Sequence, residues 1–596
     1  MTLLPRWLHD WLGLQYAEKR LPFSIALPLV KSATAPVLST LYQRQKHRET
    51  QEHDEQFLVL LLKNVRQLNR YKASMSRRLD YNHRLTALFY PLAVVLVGQF
   101  SKNGGVPDSQ RRAEVLDCMI AICGELVNSY GLVIQHYQQS SPFRYARSLK
   151  KIDLATFRLL ELLKFKQTMK ALRYQALSAR SWGMANSVVH ILAANQRLTV
   201  LQKTLDQQYR RDQPLALGRA VDVYLALQMV ERMQLSYWPV QWQTWLIRSI
   251  GCGDLKINLC QDGSNVKSTQ TSLVYYADTE PTRFTAIQSH DQRSPLVIEW
   301  DALQQVMTAD LAQVIRSRQS GGSVSLSKHL SLFGPDEQLA IAQLQYQCFR
   351  RYPSRNTYPS DQKKEIPDLR IFIGFNEILA LLRHVESGGG WKGVGRRMSD
   401  LLARHSAVFS DDAVGTVESA WFLQHQDDNM ICLSTLESRH TSHMNIGDLA
   451  AYMLEQRDWH QPRLGIIQRI VRPQAGQVNV EIQFMSEHAE SVLIDMTEAS
   501  LVNQPNDKHV GAEEPIRAIK GMRDGVLQLI LPRGVHLPDQ QKLVLHSKKG
   551  QQRVQRGHVI SASKACTVFA LRAGNDASNG KQGETAPVRM SDVIDQ

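Results

Sequence analysis

Three arginines surround a Tyr-Pro step in the stretch "CFRRYPSRNTYP", which runs from Cys348 to Pro359. Guanidinium groups present planar forks of donors that bind phosphate through paired hydrogen bonds, and they also stack on purine rings. Arg351 and Arg355 flank Pro353, and the prolines predict an extended or turned segment rather than a helix. Arginines on such a segment can converge on one phosphate-bearing ligand. The alternative is a solvated basic linker whose arginines pair with acidic helix ends.

The remaining residues of catalytic type form no recognisable constellation. The sequence contains no G-x-S-x-G nucleophile elbow, no H-E-x-x-H helix and no P-loop. His440 and His443, with His425 nearby, are interpreted as surface histidines rather than as a ligand pair. The segment "SGGGWKGVG" fits G-x-G-x-x-G, but it follows a helical pattern instead of a strand, which predicts a loop. We therefore predict a protein that is not an enzyme and that has no metal and no cofactor.

Charge and cysteine usage indicate an anionic partner and a reducing compartment. Lys+Arg 71 against Asp+Glu 56 gives a formal net charge of +15, which favours nucleotides, nucleic acid or anionic lipid. The 7 cysteines include no C-x-x-C pair, and the N-terminus lacks the pattern of a signal peptide. The most apolar run, Leu85 to Gly98, contains Pro91 and is shorter than the roughly 20 residues of a membrane span. We predict a buried helix there, no transmembrane segment and a cytoplasmic location.

Helical periodicity dominates the N-terminal half of the chain. Apolar residues recur at helical spacing from about residue 54 to residue 236, with short polar breaks between segments. Basic residues such as Arg70 and Arg78 occupy polar positions of these helices, which predicts a solvated face. After Gly251, short strand-like runs and a strand followed by a helix predict a small α/β connector. We assign residues 1–50 to an N-terminal amphipathic helical segment, 51–250 to a helical domain and 251–340 to the connector.

Strand-like segments separated by turns follow the arginines. The segments "LRIFIGF", "NIGDLAAYML" and "RLGIIQRIVRPQAGQVNVEIQFM" are typical of a small antiparallel barrel. Alternation returns near the C-terminus in "GVLQLILP" and "CTVFALR", which predicts a second small β-domain, and the last residues are polar enough to be disordered. We assign residues 341–505 to the barrel with an insertion at 376–415, 506–573 to the C-terminal β-domain and 574–596 to a tail. The predicted fold class is therefore multidomain α+β.

The order of these features resembles the PilZ domain, a bacterial receptor module for cyclic di-GMP. The first motif of that family is R-x-x-x-R immediately before the barrel, and Arg351 and Arg355 match it with Arg350 adjacent. The "NIGDLAAYML" strand and the hairpin after it are similar to later strands of the family. The whole chain resembles a group of multidomain proteobacterial proteins with a helical N-terminal half. The resemblance implies a cyclic di-GMP ligand, contacted by these arginines through its phosphates and guanine.

The second motif of the family, [DN]-x-S-x-x-G, is not matched by the residue types of this sequence. His425, Asp427 and Met430 occupy the positions at which the family has Asp or Asn, Ser and Gly. Asp427 remains as a candidate acceptor for guanine. Loss of two hydrogen bonds to a polar ligand costs on the order of 3–6 kcal/mol.

Three functional hypotheses follow. The first is a signalling adaptor that binds cyclic di-GMP through the arginines and an unidentified protein through its helical domain. The second keeps the barrel as a scaffold for protein–protein interaction without nucleotide. The third is nucleic-acid binding by the basic C-terminal β-domain. The basic residues in question are Lys542, Lys548, Lys549, Arg553, Arg556 and Lys564.

Overall fold

A computed structural model describes most of the helical half and the strands of the C-terminal half. The described ranges, apart from a few single positions, are 38–46, 51–102, 110–206, 217–240, 257–260, 271–275, 295–320, 335–351, 364–365, 370–387, 421–437, 444–453, 462–473, 476–496, 516–532, 541–563 and 566–573. Most of the predicted insertion at 376–415 lies outside these ranges, and so does the whole predicted C-terminal tail at 574–596. The chain is mixed α+β, with a helical N-terminal half and a sheet-rich C-terminal region.

The helical half is an antiparallel arrangement of long amphipathic helices. Their bounds are α1 Leu38–Lys46, α2 Gln51–Arg70, α3 Met75–Lys102, α4 Gln110–Gln138, α5 Pro142–Arg147, α6 Leu149–Leu172, α7 Ala179–Ala194 and α8 Ala220–Arg232. Helix α6 lies at the centre, and both Leu159 and Leu163 on it are fully buried. A short hairpin of β1 (Leu201–Lys203) and β2 (Leu217–Arg219) precedes α8. The helical periodicity of the sequence is thus confirmed.

One predicted surface residue lies in the core of this half. Arg78 is 1% exposed, and its guanidinium donates to Leu68 O at 2.8 Å and to Tyr71 O at 2.6 Å. These carbonyls belong to the end of α2 and the turn after it, where helical carbonyls lack intrahelical partners. Burial lowers the pKa of Arg78 to about 10. The solvated face predicted for Arg78 is therefore wrong, because helix α2 needs a donor at its end.

Helices α3 and α4 are also long and apolar. By length and composition alone, the windows Met75–Phe100 and Ala113–Gln138 could each cross a membrane, and 56% of each is buried within the structure. A buried core helix of a globular domain can have the same length and apolar composition. Leu85 and Phe89, in the predicted buried run, are fully buried against neighbouring helices.

The connector contains a three-stranded sheet and two helices. Strands β3 (Asn258–Cys260) and β4 (Thr271–Val274) both pair antiparallel with β5 (Leu296–Glu299). Helices α9 (Asp301–Ser320) and α10 (Pro335–Arg351) follow and pack on each other. The connector is fastened to the helical half because His190 Nε2 lies 2.8 Å from Val274 O.

A twelve-stranded sheet forms the C-terminal region. Its strands are β6 Lys364–Glu365, β7 Arg370–Ile373, β8 Phe422–Gln426, β9 Met430–Leu436, β10 Leu449–Met453, β11 Arg463–Val471, β12 Gln477–Met496, β13 Ile516–Arg523, β14 Val526–Pro532, β15 Lys542–Ser547, β16 Gly550–Ala562 and β17 Cys566–Ala573. Helix α11 (Phe375–Glu386) follows β7 and lies against β7, β10 and β12. All pairings in the sheet are antiparallel.

The first part of this sheet is strongly curled. Its strand order is β6-β8-β9-β12-β11-β10-β7, so β6 and β7 are the two edges. Seven strands in a flat sheet would place these edges about 29 Å apart, at about 4.8 Å per strand. The chain from Glu365 to Arg370 spans at most about 19 Å, at 3.8 Å per Cα step. The sheet must therefore bend so that its edges approach each other.

The second part closes on itself through the long strand β12. The pairings β12-β13-β14-β17-β16-β15 return from β15 to β12, which completes a ring of six strands. We predicted that a separate C-terminal β-domain begins at residue 506, but its sheet begins inside β12 at Glu487. His488 has φ 53°, and a register shift separates Glu487 from Glu490. This bulge redirects the strand from one sheet into the other, which the alternation of the sequence did not indicate.

A single hydrophobic core joins the helical half to the first sheet. It extends from Leu41 in α1 through Trp300 after β5 to Ile482 in β12. A second cluster lies between α11 and the junction of the two sheets, and a third fills the six-stranded ring. The predicted modules are therefore packed on one another, and none of these described parts is joined to the rest by its chain alone.

The close approach of the paired strands β11 and β12 at Gly465 gives a first prediction. A Cβ added at Gly465 would lie 2.5 Å from Gln483 O and 2.5 Å from Ile482 Cγ2. Because a backbone atom cannot rotate away, Gly465→Ala should lower the free energy of unfolding by about 1–3 kcal/mol. Chemical denaturation measures the loss. Gly98→Ala, in helix α3, is the control, because nothing lies within 4 Å of a Cβ added there and alanine favours a helix. Equal stability of the two variants would contradict the close approach.

Candidate ligand-binding site

The first two arginines of the R-x-x-x-R region end helix α10. The helix extends to Arg351, whereas we predicted an extended segment there. A proline restricts mainly the residue before it, so Pro353 constrains Tyr352 and leaves Arg351 helical. The side chains of Arg350 and Arg351, and the whole of Arg355, lie outside the described residues.

The end of α10 is held by a buried aromatic residue. Phe349 is 2% exposed, and its ring centroid lies 3.9 Å from the guanidinium carbon of Arg232. The same guanidinium carbon lies 4.5 Å from the ring centroid of Trp300. Arg232 ends α8 and Trp300 follows β5, so the helical half and the connector meet at the residue next to Arg350. This contact fixes where the arginine segment leaves the core.

Asp427, the candidate acceptor at the second motif, organises the β8–β9 hairpin. Its Oδ1 accepts hydrogen bonds from Asn429 N at 2.8 Å and from Met430 N at 2.7 Å. Its other oxygen lies 3.6 Å from His425 Nε2, and the side chain is about half exposed. An aspartate that accepts from the next backbone amides stabilises a turn. One carboxylate oxygen of Asp427 therefore stabilises the hairpin turn. The sequence analysis predicted only a ligand contact for this residue.

The tip of this hairpin is clamped by an arginine that the sequence analysis missed. Arg523 donates to Asn429 Oδ1 at 2.8 Å and to Phe484 O at 2.8 Å. Arg523 stands at the end of β13, before a two-residue turn in which Asp524 has φ 51° and Gly525 φ 75°. An Asp-Gly pair with positive φ is the signal of a tight hairpin, so the turn was detectable but its contact with β9 was not.

A buried ion-pair cluster joins the end of helix α6 to the first sheet. Arg173, just after α6, donates to Glu437 Oε1 at 3.1 Å, and Arg472 donates to the same oxygen at 3.2 Å. Arg472 is 2% exposed and also donates to the carbonyls of Arg173 and Thr441. Burial lowers the pKa of Arg472, although Glu437 acts in the opposite direction. Two arginines therefore share one carboxylate at this boundary.

A second contact fastens the same boundary. Arg469 donates to Glu481 Oε1 at 2.6 Å and to Ser236 Oγ at 3.3 Å. Its guanidinium carbon lies 5.0 Å from the ring centroid of Tyr237, in the turn after α8. The described part of the helical half and the first sheet are thus tied by charged groups as well as by the shared core.

Metal ligation finds no support in the described residues. No group of three or more His, Cys, Asp or Glu side chains there could hold a metal ion. His425 lies on β8 beside Asp427, and both His440 and His443 lie outside the described residues.

Comparison with known proteins finds one similarity, in the helical part of the chain. Residues 48–211 match the family model described as "Cyclic-di-GMP receptor FimW, N-terminal domain". No curated protein matches the chain, and no solved structure matches it. The matched residues contain α2 to α7 together with Arg173 and Tyr174 at the boundary with the sheet. The match does not include the sheet or the R-x-x-x-R segment.

Proposed function

We propose that this chain is a cyclic di-GMP receptor that acts as a signalling adaptor and not as an enzyme. The observation that carries the proposal is the match of residues 48–211 to the N-terminal domain of a cyclic di-GMP receptor. That domain shares a core and a buried ion-pair cluster with the sheet beside the arginine segment. A ligand bound at the arginines would therefore contact a unit to which the helical half is rigidly packed.

The ligand site in this proposal is a PilZ-like arrangement at the start of the curled sheet. Arg350 and Arg351 end α10, and Arg355 lies in the sequence between α10 and β6, the first edge strand. Their guanidinium groups suit the two phosphates and the guanine faces of cyclic di-GMP. Asp427 contributes through the hairpin that it stabilises, and its Oδ2, which lies 3.6 Å from His425 Nε2, would accept from a guanine edge.

In this proposal, the helical half is the part that binds a partner protein. Helix α6 is central and buried, whereas Val59 on α2 and Val95 on α3 are exposed to 63% and 57%. The proposed location is the cytoplasm, where cyclic di-GMP is produced.

Arginine substitutions test where the ligand binds. Isothermal titration calorimetry of the full chain with cyclic di-GMP should show weaker binding for both Arg351→Ala and Arg355→Ala. Each loss should be about 1.5–3 kcal/mol, the usual contribution of a hydrogen bond to a charged group. Arg84→Ala is the matched control, because Arg84 is a half-exposed arginine on α3 that pairs with Asp80 in the neighbouring turn.

Three results would redirect the proposal. Affinity that is unchanged in both arginine variants would remove the site from this segment. Absence of binding in the wild-type chain would favour a scaffold without nucleotide. Retention on nucleic acid that falls steeply with salt would favour the basic C-terminal strands instead.

A further inference from the structure

One stretch at the junction of α5 and α6 separates its side chains by polarity. The stretch reads "FRYARSLKK" and runs from Phe143 to Lys151. Tyr145 and Ser148 are buried, whereas the phenylalanine and every cation of the stretch are exposed, namely Phe143, Arg144, Arg147, Lys150 and Lys151. Exposed positions three and four residues apart lie on one face of a helix. The stretch therefore presents a basic face that carries an aromatic ring.

Hydrogen bonds fix this stretch on the helical half. The hydroxyl of Tyr145 accepts from Asn195 Nδ2 at 3.1 Å, immediately after the end of α7. Ser148 N donates to Tyr145 O at 2.9 Å, and Ser148 O accepts from Lys151 N at 2.9 Å. These bonds carry the chain from α5 into α6 without an intervening loop. The exposed face is therefore continuous across the two helices.

The aromatic ring and a further cation lie beside one another on this surface. Phe143 is 69% exposed, and its ring centroid lies 6.0 Å from the guanidinium carbon of Arg147. Lys151 Nζ donates to Ser76 Oγ at 3.0 Å, so the first turn of α3 is adjacent. Arg77, the next residue on α3, is exposed as well. We call this surface the basic patch, and it consists of Phe143 and the cations Arg77, Arg144, Arg147, Lys150 and Lys151.

The described residues contain no carboxylate that neutralises the basic patch. None of their acidic oxygens lies within 4.0 Å of a cationic nitrogen of the patch. The carboxylates that stand nearest along the chain pair elsewhere. Asp80 lies 3.0 Å from Arg84 Nε. Asp153 is buried and accepts from Arg197 Nε at 3.0 Å. Within the described chain, the positive charge of the patch is therefore not cancelled by an ion pair.

His136, in the last turn of α4, responds to the same charge. Burial lowers the pKa of His136, and the charge of Arg144 lowers it further. A positive potential that disfavours one more cation attracts an anion. The patch therefore favours an anionic partner.

We propose that the basic patch binds the surface of a membrane that is rich in anionic phospholipid. Its cations contact the lipid phosphates, while the ring of Phe143 enters the apolar region beneath the headgroups. Electrostatic attraction and an apolar anchor together provide the two contributions that stable peripheral binding requires. The cytoplasmic leaflet carries the negative surface potential, which agrees with the proposed location. The inference does not depend on cyclic di-GMP binding at the arginine segment.

The form of the patch favours lipid over nucleic acid. Single-stranded nucleic acid is bound in basic grooves in which several aromatic rings stack on successive bases. The basic patch follows the outer face of two helices and carries one ring, that of Phe143. One exposed apolar ring among cations is instead typical of a helix that lies on a membrane surface.

Co-sedimentation of the full chain with lipid vesicles tests the patch. The chain should bind vesicles of phosphatidylglycerol mixed with phosphatidylcholine, should not bind phosphatidylcholine alone, and should dissociate as salt is added. Arg147→Gln and Lys150→Gln should each weaken binding about fivefold, the contribution of one cation near an anionic membrane. Phe143→Ala should weaken binding about tenfold, because the apolar anchor is lost.

Arg517→Gln is the matched control, because it removes one exposed positive charge on β13, outside the patch. This variant should bind vesicles like the wild type. Every variant should melt at the wild-type temperature, because the changed side chains are exposed. A loss of vesicle binding in the patch variants would then not reflect unfolding.

Equal binding to both kinds of vesicle, or binding to neither, would overturn the proposal. Equal losses in Arg517→Gln and in the patch variants would overturn it too, since net charge alone would then explain them. Retention of a single-stranded oligonucleotide that the patch variants abolish, without vesicle binding, would assign the patch to nucleic acid. Cyclic di-GMP affinity should be unchanged in the patch variants, so this proposal and the function proposed above fail separately.

Discussion

Replacement of Arg472 with alanine is expected to lower the free energy of unfolding by about 3–5 kcal/mol, because it breaks a buried ion pair from one side. The guanidinium of Arg472 is almost fully buried and donates to Glu437 Oε1 and to two backbone carbonyls. Alanine would leave the two carbonyls without this donor, and Glu437 would keep only the hydrogen bond from Arg173 at the boundary of α6 and the sheet. Chemical denaturation monitored by circular dichroism measures the loss.

A matched control separates this effect from arginine removal in general. Arg517 is an exposed arginine on β13 of the same sheet, and Arg517→Ala should change stability by less than about 0.5 kcal/mol. If Arg472→Ala and Arg517→Ala had similar stabilities, the ion-pair cluster would contribute nothing to the boundary. A Glu437→Gln change should also destabilise the chain, since both arginines share this carboxylate.

Phe349→Ala is expected to destabilise the chain by about 3–5 kcal/mol and also to weaken cyclic di-GMP binding. Large-to-small changes at buried phenylalanines cost this much because they leave a cavity. Phe349 additionally stacks on Arg232, and it immediately precedes Arg350. Loss of the ring would release the end of α10, so the arginines would no longer be held in one place. Denaturation and calorimetry on the same preparation measure the two effects.

Phe143→Ala provides the reference, because Phe143 is a phenylalanine that is 69% exposed. It should leave both stability and affinity close to the wild type. Destabilisation by Phe349→Ala with unchanged affinity would show that the position of α10 does not matter to the ligand. Affinity should be measured below the temperature at which the variant begins to unfold.

The helices were largely predictable because their signal is local. Apolar residues at helical spacing and breaks such as "NGGVPDSQ" mark α3 and α4, and Leu85 and Phe89 are buried as expected. The short strands of the connector and the "NIGDLAAYML" strand were predictable for the same reason. These patterns arise within one element and need no knowledge of its neighbours.

Long-range contacts of polar residues were not predictable from one sequence. Arg78, Arg232 and Arg472 all occupy positions that look solvated along the chain, yet each is buried. Their acceptors lie on other segments, or are aromatic rings brought in by the connector. The shared strand β12 is a similar case, because only the bulge at His488 shows that it enters a second sheet.

The candidate site was predictable in part. The R-x-x-x-R motif is a short local pattern that precedes the first edge strand, but Arg351 ends helix α10, where we predicted an extended segment. The clamp of Arg523 on Asn429 joins residues that are 94 apart in the chain, whereas the turn formed by Asp427 is local to the β8–β9 hairpin.

Titration of the wild-type full chain with cyclic di-GMP, beside cyclic di-AMP as the comparison ligand, tests the central claim most directly. The account predicts saturable binding of cyclic di-GMP and much weaker binding of cyclic di-AMP, since guanine offers hydrogen-bonding groups that adenine lacks. A calorimetric trace that shows no saturable heat for cyclic di-GMP, with folded protein confirmed by circular dichroism, would contradict the assignment of this chain as a cyclic di-GMP receptor.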